Sequence, residues 1–581
     1  MDGNFSKDMD PIISHIPPPG FVARLDGIYI ERVGKDDEVT LDWLCSPIAV
    51  KALGRNKNNE HWCSWIELVD ADGIVHELHV LEENLGGSFS KVLKDLRCRG
   101  FRLAGGKAAR ESLVELLMNW KPARRYYTTD RLGWTDSSCA NFVLGNKRVL
   151  GDEEMVFLND AASSRATEMR SSGTLEDWRA AVAQRCSGNP VMLVAVSLAF
   201  AGPLVGFLGR ESFGLHLCGD PGNGKTTTAK AAVSVWGSPN FMHSWRTTAN
   251  ALEGTAATCN GSLLVLDELA AVSGREVGDA VYMLGNGEGK GRATATGDSI
   301  RAHRWSLTFL STGEISLAKK MGESGKTPMA GQNVRLINII ADARLFGAFD
   351  NLHGETKSEI FAKSVEDASA SCFGVAGQAF VERLIKTPGL REKATRALQN
   401  IISRWKSELD LPSDRFASRV LGHFALIGVA GHLATVFGLT GWQKGEAHRA
   451  AFELAKKWLE AQDRPEKLQV DAAVERTREY LVAHGDTHFQ RAGQPPVTNL
   501  AGYRDDDWFY ILGDTWSALH AGLSPTEEAK RLAIAGFFVH GDGKNIQSKS
   551  PGWVPGRPRA YKVRASIIDM ASIAKTLSIS G

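Results

Sequence analysis

Cysteine is scarce and scattered in this chain. The eight cysteines (Cys45, Cys63, Cys98, Cys139, Cys186, Cys218, Cys259 and Cys372) form none of the close C-x-x-C pairs that zinc sites use, so they are expected to be free thiols in a reducing cytoplasm. A dominant charge is missing too: 68 Lys and Arg face 67 Asp and Glu, a net charge of +1. Bulk charge therefore neither demands nor excludes a nucleic-acid partner, and any basic footprint has to be local. Internal repeats and long low-complexity tracts are absent. The first residues carry Asp2, Lys7, Asp8 and Asp10 without an apolar core, which is not the pattern of a secretory signal. One stretch, 190–209, is apolar enough to raise the question of a membrane span. It contains Pro190, Gly202, Pro203, Gly206 and Gly209, and it reads as a buried helix pair. A cytoplasmic protein without a membrane partner is expected.

What is present is a long chain of ordinary globular composition. Its 581 residues, 43% hydrophobic and 23% charged, exceed what one hydrophobic core supports, so several domains are expected. Residues 1–170 alternate short apolar strands with turns such as Asp72-Gly73 and add a helix near 108–120, an α+β accessory domain. Residues 171–464 alternate helices with apolar strands at 214–218, 263–266, 307–310 and 336–340, which implies a parallel sheet with helices on both faces. Arg464-Pro465 marks a break, and 465–581 reads as a small winged-helix-like domain.

The most specific signal is Gly219-Asp220-Pro221-Gly222-Asn223-Gly224-Lys225-Thr226, which fits G-x-x-x-x-G-K-[ST] at every fixed position. It follows an apolar strand and opens a helix. In such a loop glycines let backbone N–H groups wrap phosphates at a helix N-terminus. Lys225 is then expected to reach the β- and γ-phosphates of ATP, Thr226 to ligate Mg²⁺, and Thr227 to complete the nucleotide contacts. The uncharged strand 261–266 ends in Asp267-Glu268. Adjacent acids at a buried strand end need a cation or a reacting group, because desolvated charge is costly. Asp267 is the expected outer ligand of Mg²⁺ and Glu268 the base that polarises the attacking water.

Two further strand ends refine the class. The strand 305–310 ends in Ser311-Thr312-Gly313-Glu314, where a hydroxyl can hold the attacking water opposite Glu268; Thr312 is preferred to Ser311. Arg335 stands directly before the strand 336–340. An arginine so placed can reach across a subunit boundary to a neighbour's γ-phosphate, or serve as a surface ion pair.

This order of phosphate loop, Leu-Asp-Glu strand, basic hairpin segment, Ser-Thr-Gly-Glu strand end and Val-Arg-Leu-Ile resembles the AAA+ module of a domain-of-unknown-function family found in prophages and mobile elements. That family is related to the replicative MCM-type helicases. The resemblance extends to 18–30, 43–47, Gly133-Trp134 and Phe142 to Leu144 on one side, and to Arg419 to Ala425 and 428–434 on the other. It implies an AAA+ P-loop core, a ring, with a hexamer expected, ATP sites between subunits and a central channel that grips DNA. It also implies that Arg335 is the arginine finger and Arg419 the sensor 2 arginine opening a helix, with Arg415 close by. One departure is that MCM-type helicases carry Asn where this chain offers Ser311 and Thr312.

In the resembling helicases a hairpin between the acidic and sensor strands tracks the phosphate backbone. Here that place holds Lys290, Arg292, Arg301 and Arg304 around Thr296-Gly297-Asp298, cations a sequence-blind contact requires. A glycine loop closing over the nucleotide is the alternative. A second candidate is the C-terminal run of Lys544, Lys549, Arg557, Arg559, Lys562 and Arg564 with Trp553 and Tyr561 between. Lys121, Arg124, Arg125 and Arg131 form a third cluster beside Tyr126 and Tyr127. Together these readings imply an ATP-dependent DNA helicase or translocase serving replication of a mobile element. A AAA+ remodeller of protein or protein–DNA complexes, or a nucleotide-dependent assembly switch, is the alternative.

Overall fold

The computed structural model describes residues 16–34, 37–87, 89–151, 154–158, 166–293, 299–300, 302–326, 328–411, 415–521, 523–541 and 545–569. Two compact units divide between Ala455 and Lys456.

Within the first unit, the N-terminal part is built on alternation. Strand Ile48–Arg55 buries Ile48, Ala49, Val50 and Ala52, and pairs antiparallel with Cys63–Val69 and parallel with Arg125–Thr129 in a five-stranded sheet. Helices Phe89–Arg97 and Lys107–Asn119 close its core through Val92, Leu93, Leu96, Leu113, Leu116 and Leu117. A three-stranded antiparallel sheet (Phe21–Arg24, Gly27–Val33, Val39–Cys45) precedes it.

The centre of the unit is a five-stranded parallel sheet in the order His243–Ser244, Leu263–Asp267, Thr308–Gly313, Phe213–Cys218, Leu336–Ile340. Continuous apolar runs such as Leu263 to Leu266 suit strands covered on both faces. The strand carrying Thr312 lies between the strand that feeds the glycine loop and the strand that ends in Asp267. The register aligns Leu217 with Thr312 and Leu266 with Ser311, so three strand ends meet at one edge. Strand His243–Ser244 was not legible in the sequence, because two residues carry no periodicity.

The stretch expected to be a helix pair is one helix, Pro190–Phe207, in which 16 residues from Val191 to Phe207 are buried. Enclosing contacts on every side stabilise the helix beyond the local preference of Gly202 and Pro203 to interrupt it. By length and hydropathy this helix and Arg415–Val436 could cross a membrane; 89% and 61% of their apolar windows are buried inside the protein. The expected break at Arg464-Pro465 is likewise absent, since helix Glu446–His484 runs through both residues. Proline removes one helical hydrogen bond and either kinks or breaks a helix, and here the helix continues through it.

The second unit pairs Phe489–Gln490, Gly502–Arg504, Trp508–Leu512, Arg559–Arg564 and Phe538–Val539 in that order, with Ser548–Lys549 also on Arg559–Arg564. Helices Gly513–Leu519 and Pro525–Ile534 connect Trp508–Leu512 to Phe538–Val539, and they bury Trp516, Ala529 and Leu532 against the sheet.

Gly202 shows how tightly the first unit is packed: a Cβ there would meet the Ser262 carbonyl oxygen at 2.3 Å. Gly202→Val is expected to destabilise the protein by about 2 kcal/mol, the scale of overpacking a fixed backbone contact. Gly254→Ala, in helix Ala249–Thr258 with open space around its Cβ position, is expected to stabilise by up to ~1 kcal/mol from helix propensity. Denaturant midpoints of the two variants measure both.

Candidate nucleotide site

Strand Phe213–Cys218 delivers Gly219 to Gly224, and helix Lys225–Val233 starts directly after it. Gly222 and Gly224 hold φ of +78° and +84°, which glycine adopts at little cost. Gly224 is needed twice over, since a Cβ would meet the Phe349 ring at 2.4 Å. Lys225 is buried, and its ammonium donates to the carbonyls of Gly219 (2.8 Å) and Asp220 (2.6 Å), so it already lies over the concave side of the loop. Thr226 is exposed at the helix N-terminus. Thr227 is buried, and its hydroxyl donates to Glu366 (2.7 Å), which also accepts from Lys230 (2.7 Å). Lys230 and Thr227 hold the Glu366 carboxyl below its usual range against the opposing effect of burial.

The neighbouring strand ends complete the edge. Asp267 is half-buried and Glu268 exposed. With strands about 4.8 Å apart, two intervals place Asp267 about 10 Å from the loop strand. The Thr312 hydroxyl fills the interval: it donates to the Asp267 carboxylate and accepts, at 3.4 Å, from the Glu268 N–H. Glu268 has φ of +63°, unusual for a side-chain-bearing residue. Lys320, buried on helix Leu317–Gly322, donates to the Ala270 carbonyl at 2.9 Å and so holds the turn that Glu268 begins.

Ser311 is committed elsewhere. His216 is fully buried, and desolvation lowers its pKa to about 4, so the ring is neutral. Its Nε2–H donates to the Ile315 carbonyl (3.0 Å), leaving Nδ1 to accept from the Ser311 hydroxyl (2.8 Å). Ser311 Oγ in turn accepts from the Trp245 indole N–H (2.8 Å). This chain spans the sheet directly beneath Thr312, and it leaves Thr312 as the hydroxyl beside the acids. Asp342, just beyond strand Leu336–Ile340, accepts from the Asp220 N–H at 2.6 Å, and Ala348 N–H donates to Asn223 O at 2.8 Å, so this segment braces the loop. His216, Trp245, Asp342, Glu366 and Lys320 were not singled out in the sequence. Their partners lie up to 139 residues away, and no local spacing reports that.

The two arginines occupy the opposite edge of the sheet. Arg335 ends helix Ala330–Arg335 and precedes Leu336, which pairs with Gly214 at the start of the loop strand. Five strand residues, about 17 Å, separate it from its own glycine loop. It lies 4.4 Å over the Tyr282 ring and donates to Asn286 Oδ1 (2.7 Å) and Gly331 O (2.8 Å); its buried Nε has no partner. Burial, then the charge of Arg419, lowers its proton affinity. Arg419 sits one turn inside helix Arg415–Val436, which Arg415 opens, and pairs with Glu211.

The hairpin stem is present: Arg292–Ala293 pairs antiparallel with Ser299–Ile300. Thr294 to Asp298 and Arg301 lie outside the described residues. Lys290 is exposed, and Arg304 is paired with Glu288 at 3.0 Å. In the second unit Lys549 and Arg559 are exposed on paired strands, Arg557 donates to Ser550 O (3.1 Å), and Lys562 and Arg564 lie 4.2 and 4.9 Å over the Trp508 ring. Lys544 is outside the described residues.

Residues 21–305 match the family model described as domain of unknown function DUF927. No curated protein matches the chain. Among solved structures the chain is similar to one named "SCCmec type IV Cch - active helicase", at 16% identity over 95% of this chain and 99% of that one, with a TM-score of 0.63. The likeness is one of fold. It spans both compact units.

Histidines held neutral by desolvation set a pH dependence. Desolvation lowers His216, His448 and His520 to about 4 and, with the charges of Arg419, Arg210 and Arg335, His423 to about 3. The unfolded chain takes up these protons near pH 6.5. Stability is therefore fully present above about pH 6.5 and is lost as pH falls toward 4. Urea midpoints at pH 7, 6 and 5 should decline steadily, and a flat profile would contradict the neutral assignment.

Proposed function

We propose that this protein is an ATP-dependent DNA helicase or translocase of a mobile element, with an AAA+ P-loop core that works as a hexameric ring whose ATP sites are shared between subunits. The observation that carries the reading is the convergence of the glycine loop, Thr312 and the Asp267-Glu268 end at one sheet edge. The similarity to a helicase fold over nearly the whole chain supports it.

Phosphates fit the cradle of Gly219 to Gly224, because backbone N–H groups and a helix N-terminus face them and Lys225 needs only to exchange loop carbonyls for phosphate oxygens. Mg²⁺, which neutralises charge between the phosphates, would be held by Thr226 and Asp267. Thr312, already bonded to Asp267, is placed to hold the attacking water. Glu268 orients that water and takes its proton. Arg335 and Arg419 lie too far from their own loop to touch its phosphates, which favours action on a neighbour's. In the second unit, the order Trp508–Leu512, Arg559–Arg564, Phe538–Val539 with two intervening helices supports a winged-helix-like domain. Its basic strands, and the segment around the paired Arg292–Ala293 and Ser299–Ile300, are the proposed DNA contacts.

Lys225→Ala is expected to abolish nucleotide binding, whereas Glu268→Gln is expected to retain ATP and lose at least 10²-fold in turnover, the scale of a removed general base. Equilibrium binding and steady-state hydrolysis separate the two outcomes. Hydrolysis by Glu268→Gln at the parental rate would remove the assignment of the base.

Arg335→Ala alone is expected to bind ATP and hydrolyse it poorly. Mixed with Lys225→Ala under proven subunit exchange, it should regain partial activity, because some interfaces then join an intact loop to an intact arginine. Mixed assemblies without recovered hydrolysis would exclude action in trans. Strand displacement on a forked duplex with ATP and Mg²⁺ tests the helicase reading itself; DNA-independent hydrolysis stimulated only by a protein would favour a remodeller.

A further inference from the structure

The N-terminal part carries a charge anomaly that the ATP site does not use. Between residues 91 and 110 stand seven cations (Lys91, Lys94, Arg97, Arg99, Arg102, Lys107 and Arg110) against one acid, Asp95, in a chain whose net charge is only +1. Helices Phe89–Arg97 and Lys107–Asn119 gather part of this charge around a cavity of about 430 Å³ lined by Ser90, Leu93, Lys94, Arg97, Cys98 and Arg110.

Lys94 and Arg97 are three residues apart, hence on one helix face, and both are exposed. Arg110 faces them from the second helix. It is oriented by a bond to Ser90 Oγ at 2.5 Å and by stacking 5.6 Å over the Phe89 ring. No carboxylate lines the cavity, and among the described residues no acid lies within ion-pair distance of Lys94, Arg97 or Arg110. Three cations held close without a counter-charge repel one another, so the arrangement favours an anion between them. Lys91 and Arg102, both exposed, extend the charge beyond the cavity along the first helix and the connection, while Lys107 is paired with Glu111 at 3.6 Å. A small phosphate would leave that extension unused, whereas a polymer of phosphates would engage it.

We propose that this cavity is a nucleic-acid backbone site, in which Lys94, Arg97 and Arg110 grip phosphates of a strand without reading its bases. The inference rests on the DNA-motor reading and adds a contact in the N-terminal part to those expected in the hairpin and the C-terminal unit.

Cys98 supplies a built-in reporter, because it is an exposed thiol in the cavity wall. In the full-length protein, a 30-nucleotide single strand should slow alkylation of Cys98 several-fold, whereas millimolar inorganic phosphate or phosphatidylserine vesicles should not. The variant Lys94→Ala/Arg97→Ala should bind the strand about tenfold more weakly at moderate salt. Its log-log salt slope should be shallower by about 1 per cation removed. Basal ATPase and the unfolding midpoint should be unchanged, since neither side chain has a structural partner. Parental affinity and slope in the variant, or Cys98 protection by vesicles in place of the oligonucleotide, would overturn the site. Loss of forked-duplex unwinding in the parental protein with Cys98 still protected by the strand would sink the helicase reading and uphold the site.

Discussion

Everything proposed for this molecule depends on the in-register pairing of five parallel strands. Parallel pairing sends all strand C-termini to one edge, where the glycine loop, Thr312, Asp267 and Glu268 meet. The same pairing sends Arg335 and the Glu211-bound Arg419 to the opposite edge. A sheet of this kind keeps the two sets at opposite ends of its strands. The division of labour between edges is thus a property of the topology, and the side chains only exploit it.

Inside the sheet, a polar chain of Trp245, Ser311, His216 and the Ile315 carbonyl crosses otherwise apolar layers. Each donor has an acceptor, so desolvation is offset, and a satisfied network fixes one arrangement of side chains where an apolar core would permit several. That uniqueness bears directly on what lies above it, where the Thr312 hydroxyl sits between the Asp267 carboxylate and the Glu268 N–H. Lys320 and the left-handed backbone at Glu268 serve the same end from the other side of the turn.

Much of the central architecture was legible because it is written locally. Alternating helices and apolar strands gave a parallel sheet, and the loop and acidic strand end identified themselves by spacing. Which of Ser311 and Thr312 bonds to the acidic strand end is visible only in the structure, since adjacent residues on a strand face opposite ways and sequence does not say which face is wet. Asp342 and Glu366 escaped notice because they act on the loop from 122 and 139 residues away. Pro190–Phe207 and the passage through Pro465 were misread for a related reason: breaker residues report local preference, and enclosure by distant elements outweighs it. The cations of 91–110 are countable in the sequence, but only the packing of two helices brings Lys94, Arg97 and Arg110 to one hollow.

Strand Leu336–Ile340 has a further implication. Arg335 stands at its first end and Asp342, bonded to the Asp220 N–H of the glycine loop, at its last. Strands resist stretching, and this one is flanked by Phe213–Cys218 along its whole length. On the proposed ring reading, a pull on Arg335 by a neighbouring subunit's nucleotide would travel as through a push-rod to the receiving subunit's own loop. Successive sites would then be mechanically geared, with the fuel state of one setting the grip of the next.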